Sequence, residues 1–158
     1  QDYESLAGVG FIVAPDLSTI RKIPWNKEPT AQIICDLNYP SGEPSKLAPR
    51  QVLKNIIRQL SDEELQAVVA PELEFYLCEQ NLDPDLPLKT PIGKSGRRET
   101  GSRVFGIDAV NEFDKLTDDI YDYCELMNIG VDTLVHESGP SQIEINLNHA
   151  KVWCDDAK

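Results

Sequence analysis

Hydrophobic and polar positions change period several times along this chain, and each change marks an element. Residues 8–14 (GVGFIVA) and 31–37 (AQIICDL) are short apolar runs rich in β-branched residues, which predicts two strands. Between them Pro15, Pro24 and Pro29 forbid a helix and disfavour a central strand, so 15–29 reads as a loop, ordered because it carries Ile23 and Trp25. Pro40, Gly42 and Pro44 mark a turn-rich connection, the best domain boundary in the chain. From Pro49 onward Val52, Leu53, Ile56, Ile57 and Leu60 fall on one stripe, which predicts an amphipathic helix opened by proline in its first turn. Residues 61–64 have the form of a capping box that would restart a helical turn, and 67–77 (AVVAPELEFYL) returns to β-rich composition.

Residues 81–103 hold Pro84, Pro87, Pro91, Gly93, Gly96 and Gly101, a long loop of the kind that carries function or moves. A second helix is expected over about 112–128, with Phe113, Leu116, Ile120, Tyr123 and Met127 on its apolar side and Gly130 as its stop. The last unit is a hairpin: 131–137, a Ser138-Gly139-Pro140-Ser141 turn, and 142–148. In its second arm Gln142, Glu144, Asn146 and Asn148 alternate with Ile143, Ile145 and Leu147, giving one polar and one apolar face.

At 158 residues the chain can bury enough surface, about 70% of the unfolded value, to fold without staples. Fifteen Lys and Arg against 27 Asp and Glu leave a formal charge of -12, which argues against a nucleic-acid partner because such binding needs clustered cations. No apolar run reaches the length of a membrane helix and residues 1–10 lack a signal pattern, so a cytoplasmic chain with no membrane partner is expected. Cys35, Cys78, Cys124 and Cys154 show no Cys-x-x-Cys spacing and read as reduced thiols.

The carboxylate surplus makes clustering the decisive question. In Pro71-Glu72-Leu73-Glu74-Phe75, Glu72 and Glu74 share one face of a strand, their Cα atoms about 7 Å apart. Solvent exposure explains that pair by itself, and a hard divalent ion explains it too. A four-residue hairpin turn sets Glu137 opposite Gln142 and makes Glu144 its diagonal neighbour, close enough for the side chains to meet. If both strands join one sheet, four carboxylates converge, and Mg²⁺ or Mn²⁺ fits an all-oxygen set best.

Three other chemistries fail on spacing. Gly93-Lys94-Ser95 lacks the earlier glycine of a phosphate loop, position 88 being Leu88, and reads as a basic flexible loop. His136-Glu137 has no second His four residues on, and there is no Gly-x-Ser-x-Gly elbow. His149 ends the hairpin arm, where a capping or surface role competes with a helper role near the acidic face.

Four separated segments resemble the glutamine synthetase family in the correct order: Pro15-Asp16-Leu17-Ser18-Thr19, Ala48-Pro49-Arg50, Pro71-Glu72-Leu73-Glu74-Phe75, and His136-Glu137-Ser138-Gly139-Pro140-Ser141-Gln142-Ile143-Glu144. The resemblance covers about 7–149 and fades over 150–158 (AKVWCDDAK). It implies an α+β fold: 1–46 as the end of a β-grasp-like N-terminal domain and 47–158 as the first part of a catalytic domain with an antiparallel sheet and helices. It implies that Glu72, Glu74, Glu137 and Glu144 are ligands of paired Mg²⁺ or Mn²⁺ ions, that Asp16 binds and deprotonates the ammonium or amine in a neighbouring subunit's site, and that Asp132 lies on the nucleotide side. The implied reaction uses ATP, turning the γ-carboxylate of glutamate into an acyl phosphate that ammonia or an amine displaces, in an enzyme built as a closed homo-oligomeric ring.

Residues between Glu137 and Glu144, with 107–114 (IDAVNEFD) and 121–124 (YDYC), look closer to the γ-glutamyl-amine and polyamine ligases than to the ammonia-assimilating enzyme. The family's later ligands and nucleotide pocket have no counterpart, so a partial chain, inactive in ligation by itself, is expected. The competing expectation is a non-catalytic module serving assembly or cation binding. An unpaired edge of the catalytic sheet would invite association.

Overall fold

Local sequence chemistry sets most element ends in the computed structural model, which describes residues 10–152. Backbone contacts group these residues into two units, one running to Val69 and taking in Lys151 and Val152, the other Ala70–Ala150.

In the first unit, β1 (Ile12–Pro15) pairs antiparallel with β4 (Cys35–Asn38), and β2 (Arg21–Lys22) with β3 (Ala31–Gln32). The predicted first strand therefore begins later and runs one residue further, with Gly8 and Val9 outside the described residues; Pro15 is tolerated because the ladder has only two strands. The second predicted strand is broken at Ile33 and Ile34 into β3 and β4. The proline-rich loop is ordered as expected, folding as a 3₁₀ turn (Leu17–Thr19) and the short β2–β3 ladder with Ile23 buried.

Helix α1 (Pro49–Asp62) starts at Pro49, where a missing N–H costs nothing. The predicted restart over 61–64 does not occur. Glu64 takes φ 58° and Leu65 N–H donates to the Leu60 carbonyl at 2.8 Å, closing α1 with a Schellman cap. The apolar stripe of α1 is half-exposed at Val52, Leu53 and Ile56.

The expected 67–77 strand is split at Pro71, leaving β5 (Val68–Val69) at the end of the first unit and β6 (Glu72–Tyr76) in the second, to which the remaining elements also belong. The expected helix over 112–128 comes in three pieces: α2 (Ile107–Val110), a 3₁₀ turn (Asn111–Phe113) and α3 (Asp114–Leu126). Its stop is Asn128 rather than Gly130. Asn128 sits at φ 55°, its N–H donates to the Glu125 carbonyl, and Ile129 N–H reaches the Cys124 carbonyl at 2.8 Å. Gly130 instead faces Asn148, whose side-chain amide would have to swing aside for a Cβ that would fall 2.6 Å from its Nδ2.

β7 (Val131–His136) and β8 (Gln142–Leu147) form the expected hairpin, and β6 adds to the far edge of β8, giving a three-stranded antiparallel sheet ordered β6-β8-β7. Leu134, His136 and Ile143 are buried on one face, with Ala109 and Thr117 buried on the helices and Met127 just past α3, and α2 and α3 pack against β7. Cys35, Cys78 and Cys124 are free thiols, and burial raises the pKa of Cys124; Cys154 lies outside the described residues.

The long loop of residues 81–103 is held in place by hydrogen bonds within itself and to residues 112–114. The 93–95 segment is not loose: Gly93 N–H donates to the Arg97 carbonyl, Ser95 N–H to Glu112 Oε2 at 3.0 Å, and Lys94 pairs with Asp114 at 2.8 Å. Among the described residues no helix is long and apolar enough to cross a membrane.

Candidate functional site: a carboxylate face

Side chains alternate along a strand, so register alone decides which residues share a face. Glu74 lies directly opposite Glu144, Glu72 opposite Asn146, and Val135 opposite Glu144 on the other side. Two residues on from Val135, Glu137 N–H donates to the Gln142 carbonyl at 2.8 Å, which places Glu137 across from Gln142. Glu72, Glu74, Glu137 and Glu144 therefore occupy one face of β6-β8-β7, while Leu73, Phe75, Ile143 and Ile145 occupy the other. The sheet places the four predicted carboxylates on one face, with Glu74 and Glu144 directly opposed and Glu72 and Glu137 towards opposite ends of it.

Their surroundings differ. Glu144 is buried at 9% exposure on the central strand, Glu137 is half-buried, and Glu72 and Glu74 are exposed. Amides alternate with the acids and orient them: Gln142 Nε2 donates to Glu74 Oε2 at 2.7 Å, and Asn146 Nδ2 to Glu144 Oε1 at 2.7 Å. Glu137 Oε2 accepts from Ser138 N–H at 3.1 Å. Among the described residues no Lys, Arg or His pairs with any of the four. Nor do three ligand-type side chains among those residues converge tightly enough, as they stand, to hold an ion. A directly opposed Glu pair without counter-charge is unfavourable, and oxygen-only donors suit a hard cation. The donor chemistry of this face thus fits Mg²⁺ or Mn²⁺.

The turn carrying Glu137 is under strain. Gly139-Pro140-Ser141-Gln142 closes with a 3.1 Å bond from Gln142 N–H to the Gly139 carbonyl, and Ser141 takes φ 57°, a region that costs a non-glycine residue about 1–2 kcal/mol. Sequence reasoning missed what lies beneath it. His136 is fully buried, its Nδ1–H donates to the Glu137 carbonyl at 2.7 Å, and its Nε2 is hydrogen-bonded to Glu99 Oε2 at 2.7 Å. Pairing of Glu99 with His136 spans 37 residues that include α2, α3 and β7, and no local pattern signals it.

Asp132 does not join the carboxylates. It is exposed and sits at the register shift between Val131 and Thr133, about 16 Å along β7 from Glu137. His149 is exposed beyond β8. A cavity of about 310 Å³ opens away from the four acids, beside Glu99 and lined by Arg97, Arg98, Arg103, Glu112 and Phe113.

In the first unit Asp16 caps the 3₁₀ turn: its Oδ1 accepts from Ser18 N–H at 3.0 Å and Ser18 Oγ at 2.6 Å. Its Oδ2 accepts from Arg50 Nη2 at 2.5 Å, and Arg50 and Lys54 both pair with Asp36 at 3.2 and 3.0 Å. The Ser18 hydroxyl first, then the Arg50 guanidinium, hold the Asp16 carboxyl down at about 2. That group is a standing anion.

The chain as a whole is similar to known proteins. A γ-glutamylputrescine synthetase, PuuA, of Escherichia coli K12 is 34% identical over 147 residues, covering 90% of this chain and 31% of its own length. A glutamate–isopropylamine ligase of a Pseudomonas species is 29% identical over 149 residues, covering 90% and 31%. A glutamine synthetase of Mycobacterium tuberculosis is 30% identical over 151 residues, covering 88% and 30%. The chain thus spans about a third of the length of the curated relatives it matches. A crystal structure of a novel glutamine synthase homolog superposes with a TM-score of 0.70 at 19% identity, covering 95% of this chain and 33% of that one. The Plasmodium falciparum glutamine synthetase solved by cryo-electron microscopy gives 0.67 at 22% identity, covering 96% and 35%. The family profile described as "Glutamine synthetase, catalytic domain" matches residues 46–157, so the match continues through the segment 150–157 where the sequence resemblance faded. The chain belongs to the glutamine synthetase family of ligases and carries the fold of its catalytic domain.

Proposed function

We propose that this chain supplies part of an ATP-dependent carboxylate–amine ligase, which joins the γ-carboxylate of glutamate to ammonia or an amine through a γ-glutamyl phosphate. One observation carries the reading: the β6-β8-β7 register gathers Glu72, Glu74, Glu137 and Glu144 on one face, with Glu74 directly across from Glu144. These four would hold the divalent ions, paired in the parent enzyme. Bound there, Mg²⁺ or Mn²⁺ would supply charge neutralisation for phosphoryl transfer from ATP. The residues of the chain itself orient two of the carboxylates, Gln142 holding Glu74 and Asn146 holding Glu144.

Relatives named for putrescine and isopropylamine favour an organic amine over ammonia as the acceptor. Asp16 would meet the cationic amine from a neighbouring subunit of a homo-oligomeric ring. Its low pKa suits it to holding that cation, and makes it a weak acceptor of the amine's proton. Asp132 is assigned to the nucleotide side on resemblance alone, as is the reading of β1–β4 as the remainder of a β-grasp-like domain. By itself the 158-residue chain would not complete ligation, since it spans 31% of the ligases it resembles.

Titration calorimetry with Mn²⁺ tests the reading. The unsubstituted chain should bind, and Glu74→Gln and Glu144→Gln should each weaken binding at least about tenfold. A module kept only for assembly would be indifferent to both changes, and that result would replace the metal reading.

A further inference from the structure

Glu99 belongs to the irregular stretch between β6 and α2, yet its side chain is only 8% exposed. One oxygen is heavily used. Oε2 accepts from Ser141 N–H at 2.5 Å, lies 3.4 Å from Ser141 Oγ, and is hydrogen-bonded to His136 Nε2 at 2.7 Å. The other, Oε1, is buried with no hydrogen-bond partner, and its nearest cation is Arg103 Nε at 4.0 Å. A carboxylate recruited for stability alone would be satisfied at both oxygens.

The contacts of Oε2 fall at the two ends of one turn. Through His136, whose Nδ1–H holds the Glu137 carbonyl, Glu99 fixes the residue where β7 ends. Directly, it grips the N–H of Ser141, the residue held at φ 57° immediately before β8. The segment between those grips decides where Glu137 stands relative to Glu144. We propose that Glu99 is a positioning residue for the carboxylate face: reaching in from a remote loop, it clamps His136 and Ser141 and so sets the spacing of Glu137 and Glu144. It touches none of the four acids itself. The consequence for cation binding rests on the function proposed above, whereas the clamp does not.

The test uses the 158-residue chain with Glu99→Ala, Glu99→Gln and Glu99→Ala combined with Ser141→Gly. Metal-free, NMR reads the amide exchange of Ser141 and the cross-strand contact between Glu137 and Gln142; with Mn²⁺, calorimetry reads affinity. In Glu99→Ala the Ser141 amide should exchange at least about tenfold faster, the cross-strand contact should weaken, and Mn²⁺ affinity should drop about 10- to 100-fold. Glu99→Gln, whose amide oxygen can still accept from the Ser141 N–H, should keep the Ser141 exchange within a few-fold and lose less affinity than Glu99→Ala. Ser141→Gly should restore part of the lost affinity in the double variant, because glycine adopts the turn unaided.

A fall in melting temperature with exchange and affinity intact would make Glu99 merely structural and overturn the proposal. So would equal losses in Glu99→Gln and Glu99→Ala. Where Glu99→Ala fails to fold, Glu99→Asp keeps the charge but withdraws it, and unchanged Ser141 exchange in that variant overturns the clamp. If the unsubstituted chain takes up no Mn²⁺, the metal reading falls alone and the metal-free NMR decides the role of Glu99.

Discussion

Replacing Glu144 by Gln should make the metal-free chain more stable and the metal-loaded chain less so. Glu144 stands directly opposite Glu74 on the central strand, so the two carboxylates are about 5 Å apart at Cβ. At that distance two unit charges repel by about 1 kcal/mol in water-like surroundings and about 3 kcal/mol at an effective dielectric constant near 20. Glu74 is exposed, which favours the lower figure, and opposed like charges in sheets cost up to about 1 kcal/mol. Gln keeps the carbonyl oxygen that accepts from Asn146 Nδ2, so the substitution removes the charge without orphaning the amide. In EDTA the Glu144→Gln chain should therefore be about 1 kcal/mol more stable.

Mn²⁺ at about 100 times its dissociation constant adds about 2.7 kcal/mol to a chain that binds it. The unsubstituted chain should then overtake the variant, by about 0.3 kcal/mol if Glu144→Gln weakens binding tenfold and by about 2 kcal/mol if it abolishes binding. Urea unfolding followed by circular dichroism, with EDTA and then with Mn²⁺, reads both numbers. The reasoning is refuted if the variant is the less stable of the two in EDTA, or if Mn²⁺ stabilises both chains equally.

Three further outcomes follow from local geometry. Asp16 titrates at about 2 in place of the usual 3.8, so its stabilising contribution is complete above the usual value and is lost as pH falls from there through about 2; carbon NMR titration of Ser18→Ala and Arg50→Ala should show the midpoint rising in each, and a midpoint fixed near 2 in both would contradict the assigned causes. Glu64→Gly should raise stability by about 1 kcal/mol in thermal unfolding, because glycine takes the φ of 58° at the end of α1 without strain, and no gain would mean that the cap is relaxed as it is. Gly106→Ala should cost about 1–3 kcal/mol, since the new Cβ would fall 2.8 Å from the Arg103 carbonyl, a backbone atom that cannot swing aside; a neutral result would refute the close approach.

What could be read from the sequence was whatever short-range pattern controls. Alternation from Gln142 to Leu147 and a four-residue turn were enough to place Glu137 across from Gln142, because a hairpin has little freedom once its loop length is known. Pro49 announced the start of α1 for the same reason: its ring fixes φ and lacks the N–H that a first turn does not use. Helix ends were less legible. Gly130 looked like a stop, but Asn128 takes the left-handed position and Gly130 makes room for Asn148, a contact across 18 residues that no window shows. The two-residue ladder of Arg21–Lys22 with Ala31–Gln32 is too short to leave a periodic trace. Pairing of β6 with β8, which completes the carboxylate face, could be supposed only as a condition, because sheet neighbours 70 residues apart are chosen by packing. Glu99 is the extreme case: a charged residue in a loop rich in proline and glycine reads as solvated, and only the fold reveals that His136 and Ser141 were waiting for an acceptor.

Anomalous diffraction at the manganese edge, from crystals of this chain grown with Mn²⁺, tests the carboxylate face most directly. The account predicts a peak within coordination distance of Glu74 and Glu144 oxygens, with Glu72 or Glu137 turned toward it. A well-occupied Mn²⁺ elsewhere on the protein, with that face bare, would contradict it.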